Sequence, residues 1–531
     1  MQTDVFPAIP SLWVFLLGFI VSLAASLLLT PLLRDVAHAG GLLDSSDGDR
    51  KIHARDVPRI GGIALVLALG LGITALYLDD RLASIHLSPQ LLATAAGAVA
   101  MHVLGVVDDL YPMRARYKLF WQICIALAVC AAGLRVNAIS LPGMRDVAIP
   151  TVVGFALTIL WLIGITNSFN LIDGVDGLAS GAALFALLTM SAVGIVNHQW
   201  GAAWLTMSLS GALIGFLIYN FHPASIFLGD SGSLFLGFVL GATGLMSAQK
   251  SSTTVAVAVP VLILGLPMLD TALAIARRFL RGQPIFAPDR GHIHHRLLSQ
   301  GFTPKQVALT LYCICGALGF AGFVLLTRPE LEVILLILLG LGAGLFVHRL
   351  KFHEFEELAG TIVRGTSPRK QIQQTVRIRE GSVRLAEVPG LDTTFSTLAE
   401  VCAAVGFIRA EIHLRKWFLE HGATMLVEES RAREEASVWS WGENHPAETA
   451  LQVRFPLLSN RGDRIGTINL WQGHAIHEQA TSNWRAVSLH LCGVLGLQIT
   501  SLWHTSVHSF NPAIVETRPQ RRSGRTSVVP Q

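Results

Sequence analysis

The sequence predicts an all-α polytopic membrane protein with about eleven transmembrane helices, followed by a small cytoplasmic α+β domain. Composition is the first reason. The 531 residues are 52% hydrophobic and only 14% charged, with a mean hydropathy of +0.52, whereas soluble globular proteins carry about 25% charged residues. The second reason is a series of apolar runs of membrane-spanning length before about residue 350. The third is the return to mixed polarity after it.

A helix that spans a bilayer needs roughly 17–25 mostly apolar residues. The candidate spans are 11–33, 60–78, 91–107, 119–134, 150–166, 178–196, 201–219, 232–248, 254–276, 307–327 and 331–348. Lys and Arg gather in the odd-numbered connections between these spans. Because cytoplasmic loops are enriched in Lys and Arg, the odd connections and the C-terminus are expected in the cytoplasm and the N-terminus outside.

The chain is predicted to have four regions. These are a membrane domain at 11–350, a basic linker at 351–384, an α+β domain at 385–510 and a disordered basic tail at 511–531. The linker either contacts anionic lipid headgroups or is simply solvated. In the α+β domain, "TTFSTLAEVCAAVGF" has helical spacing and "ALQVRFPLLSNRGDRIGTINLW" predicts two strands around a turn. That order of elements loosely resembles GAF-like sensory domains.

Cysteine usage and the N-terminus exclude two other classes of protein. The six Cys lie mostly in apolar segments without a C-x-x-C pair, so neither a disulfide framework nor a zinc site is expected. The start, "MQTDVFPAIP", lacks the basic region of a cleavable signal and leads into a full-length apolar span.

Ionisable residues beside membrane spans are costly and tend to mark function. In this sequence they gather in the five odd connections, which contain Lys51, His53, Pro58 and Arg59; Asp108, Asp109 and Lys118; Asn167, Asn170, Asp173 and Asp176; Asp230; and Asp270, Arg290, His292, His294 and His295. A transporter would place such groups near the bilayer midplane. Their accumulation on one side instead indicates an active site at the membrane–cytoplasm boundary.

These residue types suit phosphoryl transfer on a lipid substrate. Several carboxylates with few compensating cations favour a hard divalent cation, and Mg²⁺ is typically held by one or two carboxylates plus substrate phosphates. The stretch "GDSGS" offers an acid and small hydroxyls where backbone must approach a ligand closely. Nearby Lys, Arg and His can counter phosphate charge that develops in the transition state.

Each motif also has a simpler interpretation. Asp108 and Asp109 could be solvated residues at a helix end, and "DGVDG" could be only a turn. Asp230 could cap the following helix, and Lys118 could extend from a helix end toward water. The "HIHH" stretch could bind a transition metal, although no Cys or Glu completes a tetrahedral set close by. Chance does not explain the recurrence of these motifs on one side.

Five motifs together carry a family resemblance. "RKIHARDVPRIGG", "DDLYPMRARYKLFWQ", "NSFNLIDGVDGLASG", "NFHPASIFLGDSGSLFLGF" and "DRGHIHHRL" resemble, in order and spacing, those of the polyprenyl-phosphate N-acetylhexosamine-1-phosphate transferase family. The resemblance covers roughly residues 12–350 and implies a fold of ten or eleven helices. It implies transfer of a sugar 1-phosphate from a UDP-sugar to a polyprenyl phosphate, with release of UMP and a requirement for Mg²⁺, or Mn²⁺ in its place.

The resemblance also implies roles for individual residues, carried over motif by motif. Asp230 corresponds to the main metal ligand, with Asp173 as a second candidate. Asp108 and Asp109 correspond to the pair that orients or deprotonates the lipid phosphate. The remaining positions are expected to bind substrate. Lys118 is expected to bind the lipid phosphate, and Asn170, with the catalytic candidates Asp173 and Asp176, the nucleotide diphosphate. The sugar and diphosphate are assigned to Arg290, His292, His294 and His295, and Lys51 and His53 of the first motif are further substrate-binding candidates.

The same resemblance implies the setting. It favours UDP-GlcNAc with undecaprenyl phosphate in a bacterial cytoplasmic membrane, at the first membrane step of O-antigen or related cell-surface polysaccharide synthesis. UDP-MurNAc-pentapeptide and GalNAc- or FucNAc-type donors are alternatives, as is an inactive scaffold that acts through its C-terminal domain. Direct attack by the lipid phosphate and a covalent phospho-Asp route both remain open. Membrane lipids and a second copy of the chain are expected partners, and nucleic acid is not.

Overall fold

Long apolar helices make up the first part of the chain. The computed structural model describes residues 12–41, 57–78, 88–139, 147–249, 255–281, 283, 291–350, 381–386, 388, 390–405, 407–415, 435–442, 451–459, 463–472, 491–500 and 502. The chain divides into two units. One comprises Met1–Arg278 with Pro284–Lys351, and the other comprises Phe279–Gln283 with Phe352–Gln531.

The first unit is helical at every predicted span. Its α-helices are α1 (Leu12–Ala39), α2 (Gly61–Leu78), α3 (Pro89–Leu110), α4 (Ala115–Ala131), α5 (Thr151–Ile172), α6 (Leu178–Val196), α7 (Trp200–Asn220), α8 (Gly229–Gln249), α9 (Val255–Ile263), α10 (Gly265–Arg281), α11 (Ile293–Ser299), α12 (Pro304–Thr327) and α13 (Glu332–Arg349). Within the described ranges, nine helices are long and apolar enough to cross a membrane. The chain is therefore a multi-pass membrane protein.

Two predicted spans differ from the rest. The fourth corresponds to α4, which has 17 residues and is shorter than the other spanning helices. The ninth is divided into α9 and α10 at Leu264. Pro267 lies in the first turn of α10 and has no backbone N–H for the carbonyl of Ile263, so the helical hydrogen-bond pattern is interrupted there.

Helix α8 lies at the centre of this unit. It packs against α2, α3, α5, α6 and α9, and 89% of its spanning window is buried, whereas none of the window of α13 is. On one flank, α1 packs against α2 and α7. The only sheet among the described residues of this unit joins β1 (Ala138–Ile139) and β2 (Val147–Ala148), which pair antiparallel between α4 and α5.

The second unit contains an antiparallel sheet of β3 (Phe407–Arg415), β4 (Glu435–Gly442), β5 (Leu451–Leu458) and β6 (Arg464–Gln472) in the order β4-β3-β6-β5. Helices α14 (Leu391–Val405) and α15 (Leu491–Thr500) are also described. One face of the sheet and these helices share an apolar core that includes Leu398, Ile412, Ile468 and Leu495. The predicted strands around the "NRGD" turn are β5 and β6.

Candidate active site

The C-terminal end of α3 is bonded to the N-terminal end of α8. Both oxygens of the Asp109 carboxylate accept backbone N–H groups of α8, one from Asp230 at 2.8 Å and one from Ser231 at 2.9 Å. Gly105, one turn before Asp109, lies so close that a Cβ there would overlap the carbonyl of Asp230. An acid in this position satisfies helix donors that have no partner within the helix. Asp109 thus holds α3 and α8 together at the site.

The glycine pair that begins α2 lies against the same region. The N–H groups of Gly61 and Gly62 donate to the carbonyls of Phe227 and Leu228, at 3.0 and 2.9 Å. The turn ends at Gly229, whose φ of +72° favours glycine. A Cβ at Gly229 would also overlap the carbonyl of Arg59, in the first motif. The Gly residues of the first and fourth motifs therefore allow α2, α3 and α8 to meet.

Lys118, in the first turn of α4, lies between two carboxylates. Its Nζ is 2.6 Å from Oδ2 of Asp108 and forms an ion pair with Oδ2 of Asp230. The other oxygen of Asp108 accepts the Met113 N–H at 2.6 Å. The Lys118 and Asp108 side chains are 15% and 9% exposed, whereas Asp230 is 29% exposed. Asp230 is therefore the most accessible member of this acid–base group.

Helix α5 contributes a neutral partner for Asp230. The Asn170 amide donates to Oδ1 of Asp230 at 2.7 Å, and its nitrogen is 3.0 Å from the Ser233 hydroxyl. One turn earlier, Asn167 exchanges hydrogen bonds with Gln122 of α4, at 2.7 and 3.5 Å. Because Gln122 lies one turn after Lys118, this amide pair orients the two helices whose side chains reach Asp230.

The two acids of the "DGVDG" loop have different surroundings. Asp173 ends α5 and is half-buried. Burial, together with the carboxylates of Asp230 and Asp109, raises the pKa of Asp173 to about 8. Asp176 is almost fully buried, and its Oδ2 accepts the His222 ring at 2.8 Å and the Ala224 N–H at 3.0 Å. Asp173 therefore belongs electrostatically to the acidic centre, while Asp176 holds the fourth motif against the third.

The histidine segment approaches the same loop. His292 and His294 have parallel rings with centroids 5.7 Å apart, and the His295 ring lies 4.4 Å from that of His294. A Cβ at Gly174 would lie 2.9 Å from Nε2 of His294. Burial lowers the pKa of His294 to about 3, and the neighbouring His295 adds to the effect. His294 is therefore a neutral packing partner of the loop.

The structure brings together most of the predicted site residues. Asp108, Asp109, Lys118, Asn170 and Asp230 are linked directly by the contacts above, and Asp173 interacts electrostatically with Asp109 and Asp230. Three predicted substrate-binding residues lie outside the described part of the chain: Lys51, His53 and Arg290.

Sequence reasoning did not single out three residues that shape the site. They are His102, Gln122 and His222. The Nδ1–H of His102 donates to the carbonyl of Ser231 at 3.1 Å, and His102 lies two helical turns before Asp109, on the same face. A search for polar residues at helical spacing from Asp109 and Lys118 would have found His102 and Gln122. No comparable spacing indicates His222.

The donor set fits a magnesium ion that shares its coordination with substrate. Among the described residues, no three His, Cys, Asp or Glu side chains converge as a preformed metal site. Mg²⁺ commonly uses only one or two protein carboxylates and takes its other oxygens from water and phosphates. Asp230 offers a partly exposed carboxylate next to other acids, and burial together with the carboxylates of Asp230 and Asp109 raises the pKa of Asp173.

Comparison with known proteins places this site in a family. Residues 91–248 match the model of glycosyl transferase family 4. The chain is 37% identical over 297 residues to a Bacillus subtilis protein named "Probable undecaprenyl-phosphate N-acetylglucosaminyl 1-phosphate transferase", covering 56% of this chain and 81% of the relative. The chain belongs to glycosyl transferase family 4.

Other members of glycosyl transferase family 4 match to a similar extent. A decaprenyl-phosphate N-acetylglucosaminephosphotransferase of Mycobacterium tuberculosis is 32% identical over 51% of this chain and 73% of its own length. A phospho-N-acetylmuramoyl-pentapeptide-transferase of Moorella thermoacetica is 29% identical over 53% of this chain and 88% of its own. The segment matched by the family model extends from α3 to α8, so it contains the linked cluster around Asp230.

Proposed function

We propose that this protein transfers N-acetylhexosamine 1-phosphate, with GlcNAc 1-phosphate as the preferred group, from a UDP-sugar to undecaprenyl phosphate with release of UMP. The observation that carries the proposal is the Lys118 ammonium held between the carboxylates of Asp108 and Asp230. A cation and several acids at the ends of apolar helices suit a substrate with an apolar tail and a phosphate head. The names of the relatives support the same reaction class.

In the proposed reaction, a phosphate oxygen of the lipid attacks the phosphorus that bears the sugar. A bond forms between that oxygen and phosphorus, and the bond from phosphorus to the bridging oxygen of UMP breaks. Charge builds on the transferred phosphoryl oxygens and on the leaving UMP, so catalysis depends on positioning and on electrostatic stabilisation. This direct route requires no covalent intermediate on a carboxylate.

The residues on α3 and α4 fit the lipid phosphate. Lys118 supplies positive charge and three donors, and its ion pairs with Asp108 and Asp230 hold it in place. Asp108 is close enough to Lys118 to orient the same phosphate and to take a proton from it. Asp109 supports the reaction less directly, because its two oxygens are bonded to the backbone of α8.

Asp230 and Asp173 would hold Mg²⁺ together with the diphosphate of the donor. When bound, the metal would neutralise phosphate charge and act as a Lewis acid. Asn170 fixes one oxygen of Asp230 through its amide. The histidine segment adjoins the loop of Asp173, which suits it to contact the sugar end of the donor. The excess of Lys and Arg in the odd connections supports a site on the cytoplasmic side.

UMP release by the purified full-length chain tests the proposal. The assay combines undecaprenyl phosphate with Mg²⁺ and, in separate reactions, UDP-GlcNAc, UDP-GalNAc and UDP-MurNAc-pentapeptide. Asp230→Asn is the test variant. Asp35→Asn is the matched control, because Asp35 is an exposed carboxylate at the end of α1, paired with its neighbour Arg34.

The expected result is release with UDP-GlcNAc that needs both lipid and metal and that is lost in Asp230→Asn but not in Asp35→Asn. Release only with UDP-MurNAc-pentapeptide would keep the reaction class and change the donor, as the muramoyl relative would suggest. Absence of release with every donor would contradict the proposed function. It would favour a role carried by the C-terminal unit.

A further inference from the structure

A carboxylate of α10 holds the start of the histidine segment. Asp270 is 2% exposed and uses both of its oxygens. Oδ2 lies 2.9 Å from Nδ1 of His292, and Oδ1 accepts the Ile293 N–H at 2.8 Å. A carboxylate with two donors fixes both the side chain and the backbone of the segment it contacts.

This contact determines which ring nitrogen of His292 is available to bind a ligand. With the carboxylate at Nδ1, that nitrogen carries the proton and donates it, so Nε2 is the nitrogen that can meet a ligand. The His292 side chain is 6% exposed, so the ring cannot turn freely to exchange the two nitrogens. Asp270 thus selects both the tautomer and the orientation of the ring.

The orientation of the His292 ring also affects the packing of His294. The ring of His294 is parallel to it, with an interplanar angle of 6°, and His294 packs on Gly174 between Asp173 and Asp176. The contacts therefore extend from Asp270, through the stacked rings of His292 and His294, to Gly174 in the loop of Asp173. The carboxylates of Asp109 and Asp230 act electrostatically on Asp173. Asp270 is the first residue in this series of contacts, and the loop of Asp173 is the last.

We propose that Asp270 is a positioning residue of the transfer reaction, which holds the His292 imidazole with Nε2 directed at the anionic sugar–diphosphate part of the donor. This proposal rests on the proposed function. It differs from a purely structural role, in which Asp270 would only satisfy the buried Ile293 N–H and would affect stability alone. The two roles predict different results when Asp270 and His292 are changed together.

The test is a double-mutant cycle on the full-length chain, with Asp270→Asn, His292→Gln and the combined variant, all assayed for UMP release with UDP-GlcNAc. Thr271→Val is the matched control, since Thr271 is the next residue of α10 and its hydroxyl is outside the His292 contact. Thermal unfolding in detergent is recorded for each variant. Asn offers only one acceptor oxygen, so it cannot serve both donors.

Asp270→Asn is expected to lower kcat by about 10- to 100-fold, the range seen when partners that orient functional His residues at metal sites are removed. In the His292→Gln background the same change is expected to cost less than about threefold, because the group that it positions is gone. Thr271→Val is expected to keep the wild-type kcat. Thr271→Val is expected to keep the wild-type melting temperature, because its buried hydroxyl has no hydrogen-bond partner among the described residues to lose. Asp270→Asn is expected to lower the melting temperature, because Asn cannot accept from both His292 and Ile293.

Two results would overturn the proposal alone: a wild-type kcat in Asp270→Asn, or losses from Asp270→Asn and His292→Gln that multiply in the combined variant. Either would leave wild-type UMP release intact. If the wild-type chain releases no UMP with any donor, the proposed function fails, and this proposal fails with it. The wild-type reaction therefore distinguishes the two failures.

Discussion

Lys118 on α4 and Asp230 on α8 form an ion pair across 112 residues of sequence. Asp108 of α3 completes the group, so three helices contribute one charged side chain each. Burying an ion pair costs more desolvation free energy than burying a neutral polar or an apolar pair of side chains. Such a group is easier to understand as a substrate site than as a source of stability.

Lys118→Ala is expected to raise the KM for undecaprenyl phosphate by at least about 10-fold, which corresponds to about 1.4 kcal/mol of lost binding. The KM for the UDP-sugar should change much less, because the ammonium is assigned to the lipid phosphate. Steady-state UMP release with each substrate varied in turn gives both constants. Lys305→Ala, which removes an exposed Lys at the start of α12, is the control. A larger effect on the UDP-sugar would reverse the assignment.

Asp230→Asn is expected to abolish turnover, with a loss of at least about 100-fold in kcat at saturating Mg²⁺, because an amide is a weaker ligand for a hard cation than a carboxylate. A titration of UMP release against Mg²⁺ concentration is the measurement. Asp35→Asn should behave as wild type. Near-normal turnover of Asp230→Asn at low Mg²⁺ would show that Asp230 is not the metal ligand.

The raised pKa of Asp173 predicts a pH-dependent stability of the ligand-free protein. The folded chain holds this proton up to about pH 8, whereas the unfolded chain releases it near its ordinary value of 3.8. Stability from this group is therefore fully present below about pH 4 and is lost as the pH rises toward 8. In EDTA, Asp173→Asn should become more stable relative to wild type between pH 5 and pH 8.5.

Melting temperatures in detergent at several pH values test this expectation. Asp35→Asn is again the control, because its carboxylate is exposed and lies outside the group of Asp109, Asp173 and Asp230. A constant difference between Asp173→Asn and wild type over the whole range would mean that Asp173 is not held in its protonated form by the neighbouring acids.

The amide pair of Gln122 and Asn167 predicts a defined coupling between α4 and α5. Gln122 is fully buried, and interhelical hydrogen bonds in membrane proteins contribute on average about 0.6 and at most about 1.7 kcal/mol. Gln122→Leu and Asn167→Leu should each lower the free energy of unfolding by roughly this amount. Reversible unfolding in mixed micelles gives the values.

The combined Gln122→Leu and Asn167→Leu variant should be no less stable than either single variant, because no amide is then left without its partner. Costs that simply add would mean that the two side chains do not stabilise each other. UMP release should fall in all three variants, since Lys118 and Asn170 depend on the alignment of these helices.

The core of the C-terminal unit predicts that two isoleucines of β3 contribute differently to stability. Ile412 is fully buried between the sheet and the helices of this unit, whereas Ile408 is only half-buried. Ile412→Ala is expected to cost about 2–5 kcal/mol of stability, and Ile408→Ala clearly less. Limited proteolysis of the full-length chain compares the two variants. The quantity measured is the rate of cleavage at sites C-terminal to residue 380. Equal resistance of the two variants would contradict this packing.

The class of the protein and the position of its membrane helices can be predicted from the sequence, because a membrane span needs about twenty apolar residues in a row and that property is local. It also pointed to charged residues that the structure brings together around Asp230, since charged groups beside such spans are costly and stand out. Two features do not show in the hydropathy pattern: the short length of α4 and the division between α9 and α10 before Pro267.

The different surroundings of neighbouring motif residues are visible only in the folded chain. Asp108 and Asp109 are adjacent in sequence, yet one pairs with Lys118 and the other holds the first amides of α8. Asp173 and Asp176 share one loop, yet one belongs to the acidic centre and the other is bonded to His222. A carboxylate's role is set by the donors and charges that surround it, and these come from helices distant in sequence.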